Sequence, residues 1–118
     1  MLSPWSYASL GGGAVLTVLG AIICLRWYIF WKGNYKGKLL TTGPYARVRH
    51  PFYAGFLSLA IGLAILIPIM ETVMLAVFSV VGILFYIQRE EELLIERYGR
   101  AYEEYMRRVR WRIIPRVY

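Results

Sequence analysis

Three runs without a single charged side chain, 1–25, 51–70 and 72–88, dominate what this chain can fold into. Glu71 alone separates the second run from the third. At about 1.5 Å of rise per residue, about 20 helical residues cross the roughly 30 Å hydrocarbon core of a bilayer. The first two runs meet that length, and the third needs help from its flanks. A chain of 118 residues that is 58% hydrophobic also carries more apolar surface than a soluble domain of that size can bury. The pattern predicts an all-α integral membrane protein, a single membrane domain over 1–118. Its transmembrane helices are expected at about 4–31, 51–69 and 71–88, followed by a cytoplasmic C-terminal amphipathic helix over 89–109.

The first run lacks a basic start and continues into Arg26-Trp27-Tyr28, so it reads as a retained span and not a leader. The one cysteine, Cys24, sits inside it and reads as a small buried hydrophobe. The formal net charge of +7 would suit a nucleic-acid partner in a soluble protein, but its placement argues against one. All 14 Lys and Arg residues fall within 26–49 or 89–116. Three spans would put both basic segments on one side, the cytoplasmic one by the positive-inside rule, with the N-terminus opposite. The excess cations would then meet the headgroups of membrane lipids.

Within this frame, Gly11-Gly12-Gly13, Thr17 and Ala21 make a small-residue face on the first span, and Ala54, Ser58 and Gly62 make another on the second. Trp27, Tyr28 and Trp31 suit an interfacial aromatic belt. The segment 32–50 holds Gly33-Asn34, Gly37 and Gly43-Pro44 and reads as a loop near the membrane surface. Pro68 marks a tight turn between the second and third spans. Beyond 88, Leu94, Tyr98, Tyr102, Tyr105 and Val109 follow one helical face, bent near Gly99, while Glu92-Glu96-Arg100, Glu103-Arg107 and Glu104-Arg108 suggest i,i+4 ladders on the other. The tail 111–115 returns apolar side chains toward the interface.

The residues that could carry chemistry gather where the second span begins. Pro51 can occupy a helix's first turn, which leaves backbone N–H groups beside Arg49 and His50 as an anion cradle. His50 is a candidate acid or base, or else a helix cap. Glu90-Glu91-Glu92 cannot all face one way on a helix, so one carboxylate should turn toward the bundle while Glu92 stays solvated. The tyrosine stripe at 98, 102 and 105 reads as core more readily than as a cofactor contact. One histidine and one cysteine supply no recognisable metal ligand set.

Leu39-Leu40-Thr41-Thr42-Gly43-Pro44-Tyr45, then Arg49-His50-Pro51-Phe52-Tyr53-Ala54-Gly55, then Glu90-Glu91 with Leu94, Tyr98-Gly99, Tyr102, Tyr105 and Ile114-Pro115 closely resemble the isoprenylcysteine carboxyl methyltransferase family, and more loosely the phospholipid N-methyltransferases. The resemblance implies an S-adenosylmethionine-dependent methyltransferase acting on a lipid-like acceptor, such as the carboxylate of a prenylated cysteine-like group or a phospholipid amine. It implies a cofactor pocket lined by Gly37, Lys38, Leu39, Leu40, Tyr45, His50, Pro51, Phe52 and Tyr53, completed by Glu90. Arg49, His50 and Arg89 are the expected catalytic residues, and Tyr86, Arg89 and Glu91 the expected substrate contacts. Tyr86 falls where the eukaryotic members carry a substrate arginine. The chain has fewer spans than many relatives, so a second copy could supply the missing shelter. Two rivals stand beside this reading. Sterol reductases share an Arg-His-Pro-x-Tyr block and an Ile-Pro tail and use NADPH, and a non-catalytic membrane scaffold could keep the fold without turnover.

Overall fold

A computed structural model describes residues 4–118, so the first three residues of the uncharged run 1–25 lie outside it. Four α-helices follow in order, α1 (Pro4–Asn34), α2 (Pro51–Leu66), α3 (Met70–Tyr98) and α4 (Arg100–Arg108), with a 3-10 turn Gly43–Ala46 between α1 and α2. No strand occurs among the described residues. Helices α1 and α3 are long and apolar enough to cross a membrane by length and composition, and only 11% of the most apolar window of each is buried inside the protein. A core helix of a soluble protein would be mostly buried; such open apolar surface suits an integral membrane protein.

Helix α2 opens at Pro51, whose fixed φ and missing N–H cost nothing in a first turn. It stops at Leu66, short of the expected 69, because Pro68 disfavours helical backbone at Ile67 and cannot donate. With 16 residues, or about 24 Å of helix, α2 is the short member, where the third run had been expected to be short. The connection to α3 is tied by Thr72, which donates to the carbonyls of Ile67 and Ile69 and accepts from the Ile69 amide at 3.2 Å. Leu57 of α2 packs on Ile87 of α3, so the two helices run back along each other.

The expected boundary between a third span and a separate helix at 89 is absent. Good helix formers carry α3 unbroken through Glu90-Glu91-Glu92 to Tyr98. The break comes at Gly99, whose φ of 58° lies in the left-handed region that favours glycine, and only Arg100–Arg108 forms the separate α4. That break also takes Arg100 out of phase with Glu96. The exposed ion pair seen among the described residues is Arg89 with Glu92 at 3.2 Å, in place of the i,i+4 ladders.

The α1–α2 seam is built on glycines from both helices. A Cβ on Gly20 would stand 2.6 Å from the Gly55 carbonyl oxygen, and one on Gly13 would stand 2.9 Å from the Leu66 amide nitrogen. Gly55 likewise faces Cys24, and Gly62 faces Thr17. Ser58 donates across the seam to the Leu16 carbonyl at 2.8 Å. Such close approach lets dispersion and backbone contacts hold helices whose other faces are lipid-like. Gly20→Val should therefore cost about 1–3 kcal/mol through overpacking. Gly12→Ala, whose Cβ would meet nothing within 4 Å, should cost nothing and can add up to about 1 kcal/mol through helix propensity. Thermal unfolding of both variants in detergent checks the pair.

Candidate active site

One buried carboxylate organises the end of the molecule where α1 finishes and α2 begins. Glu91, 3% exposed, accepts from Arg49 Nε at 2.6 Å and Nη2 at 3.2 Å, a fork on both oxygens. Arg112 Nε donates to it at 2.8 Å and the Tyr102 hydroxyl at 3.2 Å. His50 Nε2 lies 3.3 Å away, without the alignment of a hydrogen bond. Arg49 spends its remaining donors on the carbonyls of Val109 and Arg110. The tail doubles back alongside, and its Trp111 and Arg112 carbonyls accept from the backbone amides of Arg49 and His50, each at 2.8 Å. The amides of Arg49 and His50 themselves are therefore taken up by the chain, which leaves the expected anion cradle to the first-turn N–H groups of α2 beside them.

Beside this hub is a cavity of about 370 Å³. Trp27 and Trp31 of α1, with Tyr35 just beyond its end, form one wall in a stacked series with centroid separations of 5.9 and 5.2 Å. Lys38, Leu39, Leu40 and Tyr45 come from the loop, and Arg49 through Tyr53 from the start of α2. The far wall is Glu90, Leu94, Arg97 and Tyr98 of α3 with Tyr102 and Tyr105 of α4. The loop wall is held in place by two bonds to Tyr45. Trp27 Nε1 donates to its hydroxyl and the Tyr105 hydroxyl donates to its carbonyl, both at 2.6 Å. Gly43 lets the loop turn, since its φ is +61° and a Cβ there would strike the Phe30 ring.

Two polar atoms buried behind the cavity lining are left over. Glu90 Oε2 and His50 Nε2 are buried without a hydrogen-bond partner among the described residues, and Glu90 Oε2 lies 3.9 Å from His50 Nδ1. His50, 6% exposed, makes no side-chain cap bond to α2, so helix capping does not account for it. The polar group that the cavity does expose is the rest of the Glu90 side chain, 32% exposed, and a carboxylate in a mostly apolar cavity is a place where a ligand can bond.

The structure sorts the residues singled out from sequence. Lys38, Leu39, Leu40, Tyr45, Arg49, His50, Pro51, Phe52, Tyr53 and Glu90 line the cavity together. Gly37 is outside the lining, and its φ of 79° gives it a backbone role in the loop. Arg89 is exposed and paired with Glu92, and Tyr86, 52% exposed, lies one helical turn before Glu90; neither is among the residues that line the cavity. Glu91 is enclosed by its cations and Tyr102 and presents no free oxygen to a substrate. Arg49 lines the cavity, but its guanidinium is engaged by Glu91 and by the Val109 and Arg110 carbonyls. Trp27 and Trp31, expected as a lipid belt, are cavity wall, whereas Tyr28 remains half exposed. Sequence reasoning passed over Tyr35, Arg97 and Arg112. The i,i+4 spacing Trp27, Trp31, Tyr35 was the available signal for the first; the tail's return gave none for Arg112.

Burial pushes the Tyr102 phenol up, the Glu91 carboxylate adds to the effect, and burial does the same at Tyr105. Both are neutral donors at any ordinary pH. With folded values raised, the stability they contribute is whole below pH ~10 and fades as pH climbs through the raised range. Ultraviolet titration should show their phenolate absorption only well above pH ~10, as the difference between the parent and a Tyr102→Phe/Tyr105→Phe variant. Glu91→Ala would leave two cations facing each other without a counter-charge and should cost about 3–5 kcal/mol in detergent unfolding.

Known proteins resemble the chain in two groups. It is 38% identical over 88 residues to a delta(14)-sterol reductase of Mus musculus, covering 69% of this chain and 20% of that protein. It is 40% identical over 81 residues to a protein-S-isoprenylcysteine O-methyltransferase of Schizosaccharomyces pombe, covering 66% of this chain and 34% of the other. A second delta(14)-sterol reductase, from Arabidopsis thaliana, is 33% identical over 84 residues, 70% of this chain and 23% of the relative. The chain thus spans between a fifth and about a third of the length of these relatives. The methyltransferase likeness read from the motifs is present, but the matching family model is of the reductase type that had ranked second. That model covers residues 21–118, both halves of the cavity included, and by this match the chain belongs to the ergosterol biosynthesis ERG4/ERG24 family.

Proposed function

We propose that the chain is a membrane methyltransferase that takes S-adenosylmethionine into the cavity and acts on a lipid-like acceptor. The observation that carries this reading is the Glu90 carboxylate, its side chain 32% exposed, in a cavity walled by Trp27, Trp31, Tyr35, Tyr45, Phe52 and Tyr53. A carboxylate among aromatic faces suits a compact cation-bearing ligand, because ring faces attract sulfonium and ammonium groups while the carboxylate accepts from an amine or ribose hydroxyl. Bound S-adenosylmethionine would supply a methyl group on a positively charged sulfur. Residues of the chain would then align and dry the site. Glu90 anchors one end, the aromatic walls exclude water, and the Glu91 hub holds Arg49 and His50 rigid behind them. A carboxylate acceptor needs orientation by a cation, and Lys38 and Arg97 are cavity cations without an ion pair among the described residues. An amine acceptor needs a base, a role open to His50.

In this reading the membrane is crossed by α1, α2 and α3, with the tryptophan-rich end and both basic segments on the cytoplasmic side and α4 lying there. The matching relatives are named as enzymes of two types, and a second reading is an NADPH-dependent reductase of the sterol type. It is favoured by the family match and by Lys38 and Arg97, whose charges suit phosphates. Thermal unfolding of the purified chain in detergent separates the readings. S-adenosylhomocysteine at a hundredfold over its Kd should stabilise by about 2.7 kcal/mol, and Glu90→Ala should weaken that binding about ten- to hundredfold. A response to NADPH alone selects the reductase, and no response to either selects a scaffold.

A further inference from the structure

A second cavity, of about 520 Å³, lies on the other side of the 43–51 segment. Pro51 lines both cavities, so the same stretch of backbone is the partition between them. The depth of the second cavity is apolar, with Ile23 of α1, Ala54 of α2 and Ile113 of the tail among its walls. Its charged side chains are Arg26 and Arg47, and no carboxylate lines it. Both arginines are exposed, and neither has an ion pair or hydrogen bond among the described residues.

The depth of this cavity along the chain identifies its occupant. Arg26 is the first charge after the uncharged run 1–25, so its guanidinium stands where hydrocarbon gives way to headgroups. Ile23 lies one helical turn before it, and Ala54 one turn into α2 from Pro51, both toward the apolar middle of the bundle. The cavity is therefore cationic at headgroup level and apolar below. We propose that it binds one anionic phospholipid of the surrounding bilayer. The phosphate sits between Arg26 and Arg47, whose planar forks match phosphate oxygens, and an acyl chain lies along Ile23, Ala54 and Ile113. A zwitterionic lipid brings its own ammonium to the two arginines and fits less well, and free phosphate leaves the apolar depth unfilled.

The site stands apart from the proposed chemistry, since none of the three contact residues named here or the two arginines lines the first cavity. Native mass spectrometry of the full chain, released from mixed micelles of phosphatidylglycerol and phosphatidylcholine, reads the preference directly. Two surface cations should favour the anionic lipid about ten- to thirtyfold. Arg26→Gln/Arg47→Gln should remove the preference, Arg26→Lys/Arg47→Lys should keep most of it, and Arg89→Gln should not alter it. Equal retention of both lipids by the parent chain would overturn the proposal whether or not any variant folds. So would a glutamine variant that keeps the preference, or stabilisation by inorganic phosphate equal to that by short-chain phosphatidylglycerol.

Discussion

The Glu91 carboxylate is the point on which the rest of the site depends. It joins the loop through Arg49, α4 through Tyr102 and the tail through Arg112, and it lies against His50 at the start of α2. Burying a charge is unfavourable unless partners replace its water, and here two guanidinium groups and a phenol do so. The same bonds tie the Arg49 guanidinium to the hub. Glu90, one step around the helix from Glu91, lines the cavity instead. Two adjacent glutamates thus divide into a buried structural anion and a cavity-lining one by a rotation of about 100°.

The glycine seam between α1 and α2 makes that division useful. By bringing the two backbones together, it seats Trp27 against Phe52, with ring centroids 4.8 Å apart, and sets the stacked series of α1 over the start of α2. The cavity is wide only where the small residues stop and the aromatics begin.

Much of this was legible in the residues themselves. Uncharged runs marked α1 and α3, Pro51 and Pro68 bounded α2, Gly99 marked a break, and Tyr102 and Tyr105 are as buried as their spacing suggested. The segments 38–40 and 45–53 with Glu90 do meet at one cavity. What local pattern could not convey was helix phase and long-range return. Whether Glu90 or Glu91 turns inward depends on how α3 packs, and Arg112 becomes a partner of Glu91 only because the tail folds back across the loop. Tyr86 was placed near a substrate by alignment of motifs and Arg89 as an available cation, yet Arg89 pairs with Glu92 and neither residue lines the cavity.

The pairing of the Arg49 and His50 amides with the Trp111 and Arg112 carbonyls also orders events during biosynthesis. The α1–α2 seam uses neighbouring stretches of chain and can close while the ribosome is still at work. The wall at the start of α2 needs carbonyls that emerge some sixty residues later, and contacts so distant in sequence form late. Closure of that end of the molecule therefore waits on the segment around Trp111 and Arg112, whereas the seam does not.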